Sequence, residues 1–354
     1  MVASPVSQKI NAPVVLVPKE NIQLESENKS AKTQTHENYL NSLNVTEKSY
    51  LLGGTAAVSN DCFTNIKKAL LDKDLVKPVK TDRNIFKVND YVVNNKPISL
   101  LASAKDNAKK VLDVAVNKIL KVLNITDYWV NLSFNGTSGW VKPEGFKYYN
   151  PKDFYKVRMR VPNLVNQMNP KSQNGVKQKA APIGCEPTAM YHALQAKGYA
   201  LDYTYNEFLD ELPMNTNDNN TGFSKNPYIW DEYYHKNIMA TYMNPEPMTK
   251  FANRFANGKA ENISGASMRD IIAEIQNGNT VMFYGTLDWE KPRWATNIYG
   301  QRFFANNHGN CINGYDPVTN TFNIAGPWYD NEITKSFNEV AENYLSRQMA
   351  VVVR

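Results

Sequence analysis

The second half of the chain alternates apolar and polar positions with two different periods. In three segments the apolar residues recur at helical spacing, and each segment ends at a glycine or a proline. The pattern predicts helices within "CEPTAMYHALQAKG" (185–198), "YTYNEFLDELP" (203–213) and "SGASMRDIIAEIQNG" (264–278). Strand-type runs follow at "TVMFYGTL" (280–287), "GNCINGYD" (309–316), "TFNIAGP" (321–327) and "RQMAVVVR" (347–354). Because helices come first and strands after them, we predict an α+β domain over residues 151–354.

The preceding region carries short β-type runs with turns between them. "YWVNLSF" (128–134) has a strand pattern, "NGTSG" (135–139) has the composition of a hairpin turn, and Trp140-Val141 begins the next strand. These features predict a small all-β barrel over residues 95–150. The segment "DLVKPVKTDRNIFKVNDYVV" (74–93) likewise has two β-rich runs with a Thr-Asp pair between them. This pattern predicts a related barrel over residues 41–94. Residues 1–40 are predicted to be a flexible segment, because residues 18–40 are polar and nearly free of large apolar side chains.

Composition and charge narrow the range of partners. The chain has 354 residues and a formal net charge of +6, and this length predicts two or three domains. The lysines are scattered and no nucleic-acid motif is present, so nucleic acid is not an expected partner. No window reaches about eighteen apolar residues, and we expect no membrane span. The basic charge is typical of an ordinary solvated surface, or of attraction to an anionic polymer such as a bacterial cell wall.

The start of the chain bears on localisation. "MVASPVSQKINAPVV" has no basic region followed by a long apolar run, so a signal peptide is absent from this chain. Its residues are small and polar, which is typical of the sequence just after a signal-peptide cleavage site. We therefore expect a secreted or cell-surface protein.

The three cysteines are Cys62, Cys185 and Cys311, and their spacing matches neither a metal site nor a disulfide framework. Cys185 follows Gly184 at the start of a predicted helix. A helix N-terminus presents unpaired N–H groups and partial positive charge, which lowers the pKa of a thiol. Cys185 is therefore a candidate nucleophile, and the alternative is a small buried thiol.

Four histidines could supply a base, and they differ in placement. His36 lies in the predicted flexible segment, and His235 lies in an aromatic, charged stretch. His192 is on the same helix as Cys185, about 10 Å farther along the axis, so we expect a packing role for it. His308 lies where a loop enters a strand, from which it could reach a helix N-terminus; the alternative is a surface histidine. Cys311 lies three residues beyond His308, so we expect it on the opposite face, in the core.

Five separated segments resemble the bacteriocin-processing, or double-glycine-type, peptidase-like family, in family order. They are "APIGCEPTAMYHALQAKGY", "EFLDELP", "GFSKNPY", "ISGASMRDIIAEIQNGNTVMFY" and "NNHGNCINGYD". The resemblance covers roughly residues 160–354 and implies a papain-like cysteine peptidase. It implies that Cys185 is the nucleophile, that His308 is the general base and that Gln167 lines the oxyanion hole, with Gln173 as the second choice. It implies no metal or organic cofactor.

The β region resembles the bacterial SH3-type domain over about fifty residues. The resemblance rests on Trp129, Gly136 and Gly139-Trp140-Val141. In that family the usual role is binding to cell-wall peptide or glycan, which implies the cell wall as a partner. The alternative is that Trp129 and Trp140 are simply core residues.

One position departs from the peptidase family. An Asp-Pro usually follows the last of these strands, and its aspartate orients the histidine, whereas here Gly326 precedes Pro327. Asp330, Asn323 and Asp316 are nearby candidates for the missing orienting group. The expected function is a secreted or surface cysteine peptidase that cleaves a peptide, with cell-wall peptides among the candidate substrates. The alternatives are a catalytically degraded protein that binds cell wall or peptide, and an acyl transferase on the same fold.

Overall fold

The structure, a computed structural model, describes residues 86–126 and 128–354. The predicted segment 1–40 and almost all of the predicted barrel at 41–94 lie outside the described residues, as do Cys62 and His36.

A seven-stranded antiparallel sheet occupies residues 86–149, which we call the β domain. Its strands are β1 (Tyr91–Asn94), β2 (Ile98–Leu101), β3 (Lys110–Val114), β4 (Ile119–Ile125), β5 (Val130–Phe134), β6 (Thr137–Val141) and β7 (Phe146–Tyr148). They are arranged in the order β3-β2-β6-β5-β4-β1-β7. The buried core of the sheet is aliphatic: Val92, Ile98, Leu100, Val114, Leu120, Val122, Val130 and Leu132.

The predicted hairpin is formed by β5 and β6. Phe134 pairs with Thr137, so Asn135 and Gly136 alone make the connection. Both have positive φ angles, 48° and 77°, as a type I′ turn requires. The sequence signal at "NGTSG" therefore predicts this turn correctly.

The two tryptophans of the β domain lie outside its hydrophobic core. Trp129 and Trp140 are both half-buried, and neither belongs to the aliphatic cluster. The ammonium of Lys142 lies 5.5 Å from the ring centroid of Trp129, within the range of a cation–π interaction. The interpretation of these tryptophans as core residues is wrong.

Strand β1 corrects the predicted boundary between residues 94 and 95. It pairs with β4 and β7, so it belongs to the β domain and not to an upstream barrel. All four of its residues are buried, because Val92 faces the core of the β domain whereas Tyr91 and Val93 pack against the C-terminal domain. A strand buried on both faces lacks the alternation that would assign it to one core.

Residues 150–354 form the C-terminal domain, which combines helices with an antiparallel sheet. The helices are α1 (Cys185–Ala196), α2 (Tyr205–Asp210), α3 (Glu232–Asn237), α4 (Pro245–Ala256), α5 (Met268–Gln276) and α6 (Phe337–Leu345). The strands are β8 (Val157–Arg158), β9 (Ala260–Asn262), β10 (Thr280–Thr286), β11 (Trp294–Thr296), β12 (Arg302–Phe304), β13 (Asn307–Asp316), β14 (Thr321–Ala325), β15 (Ile333–Ser336) and β16 (Ala350–Val353). This architecture confirms the predicted α+β class.

The main sheet of the C-terminal domain has the order β15-β14-β13-β10-β16-β9, and β8 also pairs with β13. Its two faces are covered by different helices. One core joins α1 to one face: Ala189, Leu194, Met282 and Cys311. The other core joins α5 and α6 to the opposite face: Ile271, Phe283, Ile312 and Tyr344. Helix α1 therefore lies directly against the two central strands, β10 and β13.

The three predicted helices are confirmed, with their end signals. Gly198 follows α1 and Gly278 follows α5, and both have positive φ angles. Ser267 caps α5 by accepting from the backbone N–H of Asp270. Helices α3, α4 and α6 are not predicted by the sequence pattern. Prolines at the start of α4, which are tolerated in a first turn, resemble helix breakers in the sequence.

The β domain and the C-terminal domain share an extensive polar and apolar interface. The side chain of Asn277 accepts from the backbone N–H of Ile119 at 3.0 Å and donates to its carbonyl at 2.9 Å. Lys121 pairs with Asp270 at 2.7 Å. Tyr91 and Tyr149 enter the core built on α5. These contacts attach the sheet of the β domain to helix α5.

We predict that Asn277→Ala weakens this attachment. The backbone N–H and carbonyl of Ile119 lose their partners, which destabilises the chain by about 1–3 kcal/mol. Urea unfolding monitored by circular dichroism measures the change. The control is Lys110→Ala, which removes only an exposed ion pair with Asp113 and should change the unfolding free energy by less than about 1 kcal/mol. Equal unfolding curves for the two variants would contradict the role given to Asn277.

Candidate active site

Cys185 is the first residue of helix α1. Gly184 is its N-cap, and no side chain caps this helix end. The first helical N–H groups have no carbonyl one turn earlier to bond, so they are available to a reacting group. Thr188 donates its hydroxyl to the Gly184 carbonyl at 2.6 Å, which fixes the turn that leads into the helix.

Strand β13 crosses this helix tip at very close range. A Cβ atom on Gly309 would lie 2.7 Å from Glu186 Cα and 3.1 Å from the Cys185 carbonyl oxygen. No side chain larger than hydrogen therefore fits at residue 309. The Gly309 backbone is also close enough to the Cys185 sulfur to act on the pKa of the thiol, which it lowers. Because His308 precedes Gly309, the structure brings the strand that carries the predicted base to the predicted nucleophile.

The Cys185 thiol lies 3.1 Å from Glu186 Oε2 and donates to it. Burial raises the pKa of this thiol well above its ordinary value, and the charge of Glu186 raises it further. Hydrogen bonds from the backbone of Gly309 and Glu186 lower the pKa, but they do not outweigh these effects. The predicted acidified thiolate is therefore wrong for the resting protein, because burial and a neighbouring carboxylate oppose the helix N-terminus.

Glu186 belongs to a buried polar chain that the sequence analysis misses. Its carboxylate accepts from the side chain of Asn307, and Asn307 in turn accepts from Arg347. The Arg347 guanidinium lies 4.9 Å from the ring centroid of Phe304. Burial raises the pKa of the Glu186 carboxyl, and these hydrogen bonds lower it. The signal in the sequence is Asn307 itself, which lies on the Gly309 face of β13, two residues before it.

His308 is buried, with 4% of its surface exposed. Its ring lies edge-on to Trp328, with 5.8 Å between the centroids. Within residues 86–126 and 128–354 the ring nitrogens of His308 make no hydrogen bond, so none joins the ring to Cys185. Burial lowers the pKa of His308 to about 4. The imidazole is therefore neutral near pH 7, with one nitrogen free to accept a proton.

Gln167 is near the predicted site, but its amide is already engaged. Its Nε2 donates to the carbonyls of Ala181 and Pro182 at 3.1 and 3.0 Å. Its backbone N–H donates to the Pro327 carbonyl at 2.7 Å. Through these contacts Gln167 connects the loop before Cys185 to the turn after β14. They correct the predicted oxyanion role, because the donor hydrogens point at carbonyls of the protein.

The side chain of Gln173, the second candidate for the oxyanion hole, also has a hydrogen-bond partner elsewhere in the protein. Its Oε1 accepts from the Tyr205 backbone N–H at 2.6 Å, at the start of α2. It therefore supports a neighbouring helix end.

None of the three residues considered as orienting groups contacts His308. Asp330 accepts from Asn166 at 3.1 Å on the surface. Asn323 donates to Asn313 and Glu332, both at 2.7 Å. Asp316 is at the far end of β13 and pairs with Lys156 at 3.1 Å. All three candidates are wrong, because each is held by other partners.

The other described histidines and Cys311 pack against neighbouring residues of the protein. His192 is fully buried; its Nε2 accepts from the Val165 backbone N–H at 2.9 Å, and its Nδ1 lies 3.0 Å from the Ala325 carbonyl. This confirms a packing role. Cys311 is fully buried in the core beneath α1, as predicted. His235 lies against Trp230, with 4.6 Å between the ring centroids.

Comparison with known protein families identifies the family of this chain. The model of the "Peptidase_C39 like family" matches residues 163–350, which is more than half of the chain. The chain belongs to this family. The family match confirms the resemblance inferred from the five sequence segments, and it supports a peptidase-type function. No curated protein sequence matches the chain.

Solved structures with some similarity include a putative C39-like peptidase from Bacillus anthracis. It has 18% identity and a TM-score of 0.42, over 56% of this chain and 97% of that one. Xylellain, a cysteine protease from Xylella fastidiosa, has 12% identity and a TM-score of 0.31, over 56% and 84% of the two chains. The C-terminal SH3 domain of Myosin IB from Entamoeba histolytica has 22% identity and a TM-score of 0.14, over 18% and 100%.

Among residues 86–126 and 128–354, no group of three or more His, Cys, Asp or Glu side chains is arranged to hold a metal ion. Nor does any helix in that part of the chain have the length and apolar character needed to cross a bilayer.

We predict that Glu186→Gln makes Cys185 more reactive. The substitution removes the negative charge beside the sulfur and lets an amide N–H face it, so the pKa of the thiol falls. The rate of iodoacetamide alkylation at Cys185, followed by mass spectrometry from pH 6 to pH 10, should rise at each pH below the wild-type midpoint. Glu246→Gln, which removes an exposed carboxylate paired with Lys250, is the control. Identical pH–rate profiles for Glu186→Gln and wild type would refute the effect of Glu186.

We predict that two histidine rings titrate far below the ordinary value of 6.5. Burial lowers the pKa of His192 and of His308 to about 4. Between pH 6.5 and about 4 the unfolded chain therefore binds protons at these rings that the folded chain does not. The free energy of unfolding falls as the pH is lowered through this window, and the loss levels off below it.

Proton NMR titration of the ring Cε1–H signals measures both midpoints, with His192→Gln and His308→Gln for assignment. Urea unfolding at pH 7 and pH 5 measures the stability change. The same rings in the urea-unfolded chain serve as the reference and should titrate near 6.5. Folded-state midpoints near 6.5 would refute the burial effect.

Proposed function

We propose that the chain is a secreted or surface cysteine peptidase in which Cys185 attacks the peptide carbonyl and His308 transfers the proton. The substrate is a peptide, and a cell-wall peptide is the class that we favour. The observation that carries the proposal is the close approach of Gly309 to the tip of α1. The residue after His308 therefore lies against the helix end that carries Cys185.

The charge states of the two groups support base-assisted attack. The thiol is protonated and the imidazole is neutral near pH 7, because burial disfavours the charged form of each. In the proposed reaction, substrate entry turns the sulfur from Glu186 toward His308. The imidazole then takes the thiol proton as the sulfur forms its bond to the carbonyl carbon. His308 returns this proton to the leaving amine, and water hydrolyses the thioester.

The oxyanion of this reaction needs a donor that does not depend on Gln167. The backbone N–H of Cys185, at the first position of α1, is such a donor, and the partial positive charge of the helix end adds to it. In this proposal Gln167 contributes through position. It holds the loop at Ala181 and Pro182, and so fixes where the Cys185 N–H points.

We expect Cys185→Ala to abolish labelling by a thiol-directed activity-based probe. We expect His308→Ala to lower kcat/KM for a cleaved peptide at least about 1,000-fold, as in other nucleophile–base pairs. Probe labelling is read by mass spectrometry, and cleavage is read on a peptide library and on purified peptidoglycan. Cys311→Ala is the control, since it removes a buried thiol of the core; it should retain labelling. A Cys185→Ala variant that still cleaves peptide would refute the proposal.

The β domain supports a wall-directed role in this proposal. Trp129 and Trp140 keep part of their rings outside the aliphatic core, and aromatic rings of this kind bind sugars and peptides through their apolar faces. The chain is also basic overall, with a net charge of +6, which favours contact with an anionic wall polymer. We propose that the β domain is an SH3-type module that holds the peptidase on the wall.

A second candidate function is a non-catalytic protein that binds wall or peptide through the same fold. Two observations favour it: the Gln167 amide is engaged by protein carbonyls, and Gly326 provides no carboxylate for His308. The same experiment separates the two candidates. The binder predicts no probe labelling of wild type together with co-sedimentation on purified peptidoglycan, whereas the peptidase predicts labelling that requires Cys185.

A further inference from the structure

Arg347 is a partly buried cation close to the candidate nucleophile. Its Nη1 donates to Asn307, and the amide of Asn307 donates to Glu186. Glu186 in turn accepts from the Cys185 thiol. Three hydrogen bonds, with one planar carboxylate and one planar amide between them, therefore join the sulfur to the guanidinium. At about 3 Å for each bond, the two groups are no farther apart than about 13 Å.

The positive charge of Arg347 has no carboxylate partner in residues 86–126 and 128–354. A guanidinium carries five N–H donors, and the bond to Asn307 is the only hydrogen bond that this guanidinium makes within those residues. The charge of Arg347 lowers the pKa of the Glu186 carboxyl, but burial and hydrogen bonds have larger effects on that pKa. Most donors of Arg347 are therefore free to bind a group from outside the protein.

Three aromatic rings hold the guanidinium of Arg347 in place. Its central carbon lies 5.2 Å from the ring centroid of Tyr242, 5.5 Å from that of Tyr284 and 4.9 Å from that of Phe304. Cation–π contacts of this kind fix the group without engaging its N–H donors in conventional hydrogen bonds. An arginine that is already ordered loses less conformational entropy when it binds a ligand.

The rings beside Arg347 continue to the protein surface. Phe304 lies edge-on to Trp294 on strand β11, with 4.9 Å between the ring centroids. Trp294 is 53% exposed, and Asn307 and Arg347 are themselves partly exposed. A peptide that approaches Cys185 from the side of this tryptophan therefore meets the free donors of Arg347.

We propose that Arg347 is a specificity-determining residue that binds a carboxylate of the peptide substrate, within about four residues of the scissile bond. An extended peptide advances about 3.3–3.6 Å per residue, which converts the limit of about 13 Å into this number of residues. A guanidinium holds a carboxylate through two parallel N–H···O bonds. The carboxylate belongs to an Asp or Glu side chain or to the C-terminus of a short peptide. This inference rests on the proposed function of Cys185 as the nucleophile of a peptidase.

Matched octapeptide libraries test the proposal and separate the two sources of the carboxylate. Each library has one fixed position and contains no other Asp or Glu. The first has Glu at that position and an amidated C-terminus, the second has Gln and an amidated C-terminus, and the third has Gln and a free C-terminus. The wild type should cleave one of the two carboxylate libraries about 10- to 100-fold faster than the neutral one, the range expected for charge-assisted hydrogen bonds. Initial rates at low peptide concentration measure this ratio, and a ratio near 1 for both overturns the proposal.

Two substitutions of Arg347 assign the preference to its guanidinium. Arg347→Gln should bring the ratio of rates to about 1, whereas Arg347→Lys should keep part of it, because lysine retains the charge but not the planar fork. If Arg347 acts only through Glu186, both kinds of library slow equally and the ratio stays. A wild-type ratio in Arg347→Gln therefore overturns the proposal, and circular dichroism checks the fold of each variant.

Arg269→Gln is the matched control, because Arg269 is also held against aromatic rings. Its guanidinium carbon lies 5.6 Å from the ring centroid of Tyr91 and 5.9 Å from that of Tyr149. It lies on α5, the helix to which the β domain is attached, and not beside Cys185. The control should keep the wild-type ratio. An equal loss of the ratio in Arg269→Gln would overturn the specific role of Arg347.

A second readout does not require turnover. The full chain with Cys185→Ala is immobilised, and the retention of the same libraries is measured by mass spectrometry. It should retain the preferred carboxylate library more strongly than the neutral one, and Cys185→Ala/Arg347→Gln should not. Equal retention with and without Arg347 overturns this inference, whatever the activity. Retention that requires Arg347, in a protein whose wild type cleaves no peptide, overturns the proposed function and supports the carboxylate site.

Discussion

The candidate site depends on one close contact, the passage of the Gly309 backbone over the first turn of α1. A Cβ at residue 309 would lie 2.7 Å from Glu186 Cα, so only glycine allows strand and helix to approach this far. The contact brings the Gly309 backbone close to the Cys185 sulfur, and His308 is the residue before Gly309 on the same strand. The helices packed on both faces of the sheet keep β13 in this place. A larger side chain at 309 would move β13, the strand that carries His308, away from the tip of α1.

The same close packing determines the charge of the groups at the site. Burial removes water from the thiol, from the Glu186 carboxyl and from the imidazole, and each is driven toward its neutral form. A helix N-terminus alone would favour a thiolate, but it acts here against desolvation and against a carboxylate 3.1 Å from the sulfur. The Cys185 thiol and the His308 imidazole are therefore both neutral near pH 7.

The sequence predicts those features of the fold that depend on local signals. The helix at Cys185, the glycines that end α1 and α5, and the Asn-Gly turn of the β5–β6 hairpin all follow from residue types at fixed positions. The family resemblance predicts which strand approaches Cys185. Contacts between distant segments are not predicted in this way. The pairing of Gln167 with Ala181 and Pro182, and the chain from Glu186 through Asn307 to Arg347, depend on side-chain directions that periodicity does not determine.

The direction of helix α1 shows which of its two ends lies near the β domain. Cys185 begins this helix, whereas Lys197, just after its end, contacts Gly278 and Asn279. Asn279 also bonds to Asn135 in the β domain. Twelve helical residues separate the two ends, a distance of about 18 Å. The β domain is therefore attached near the end of α1 opposite Cys185.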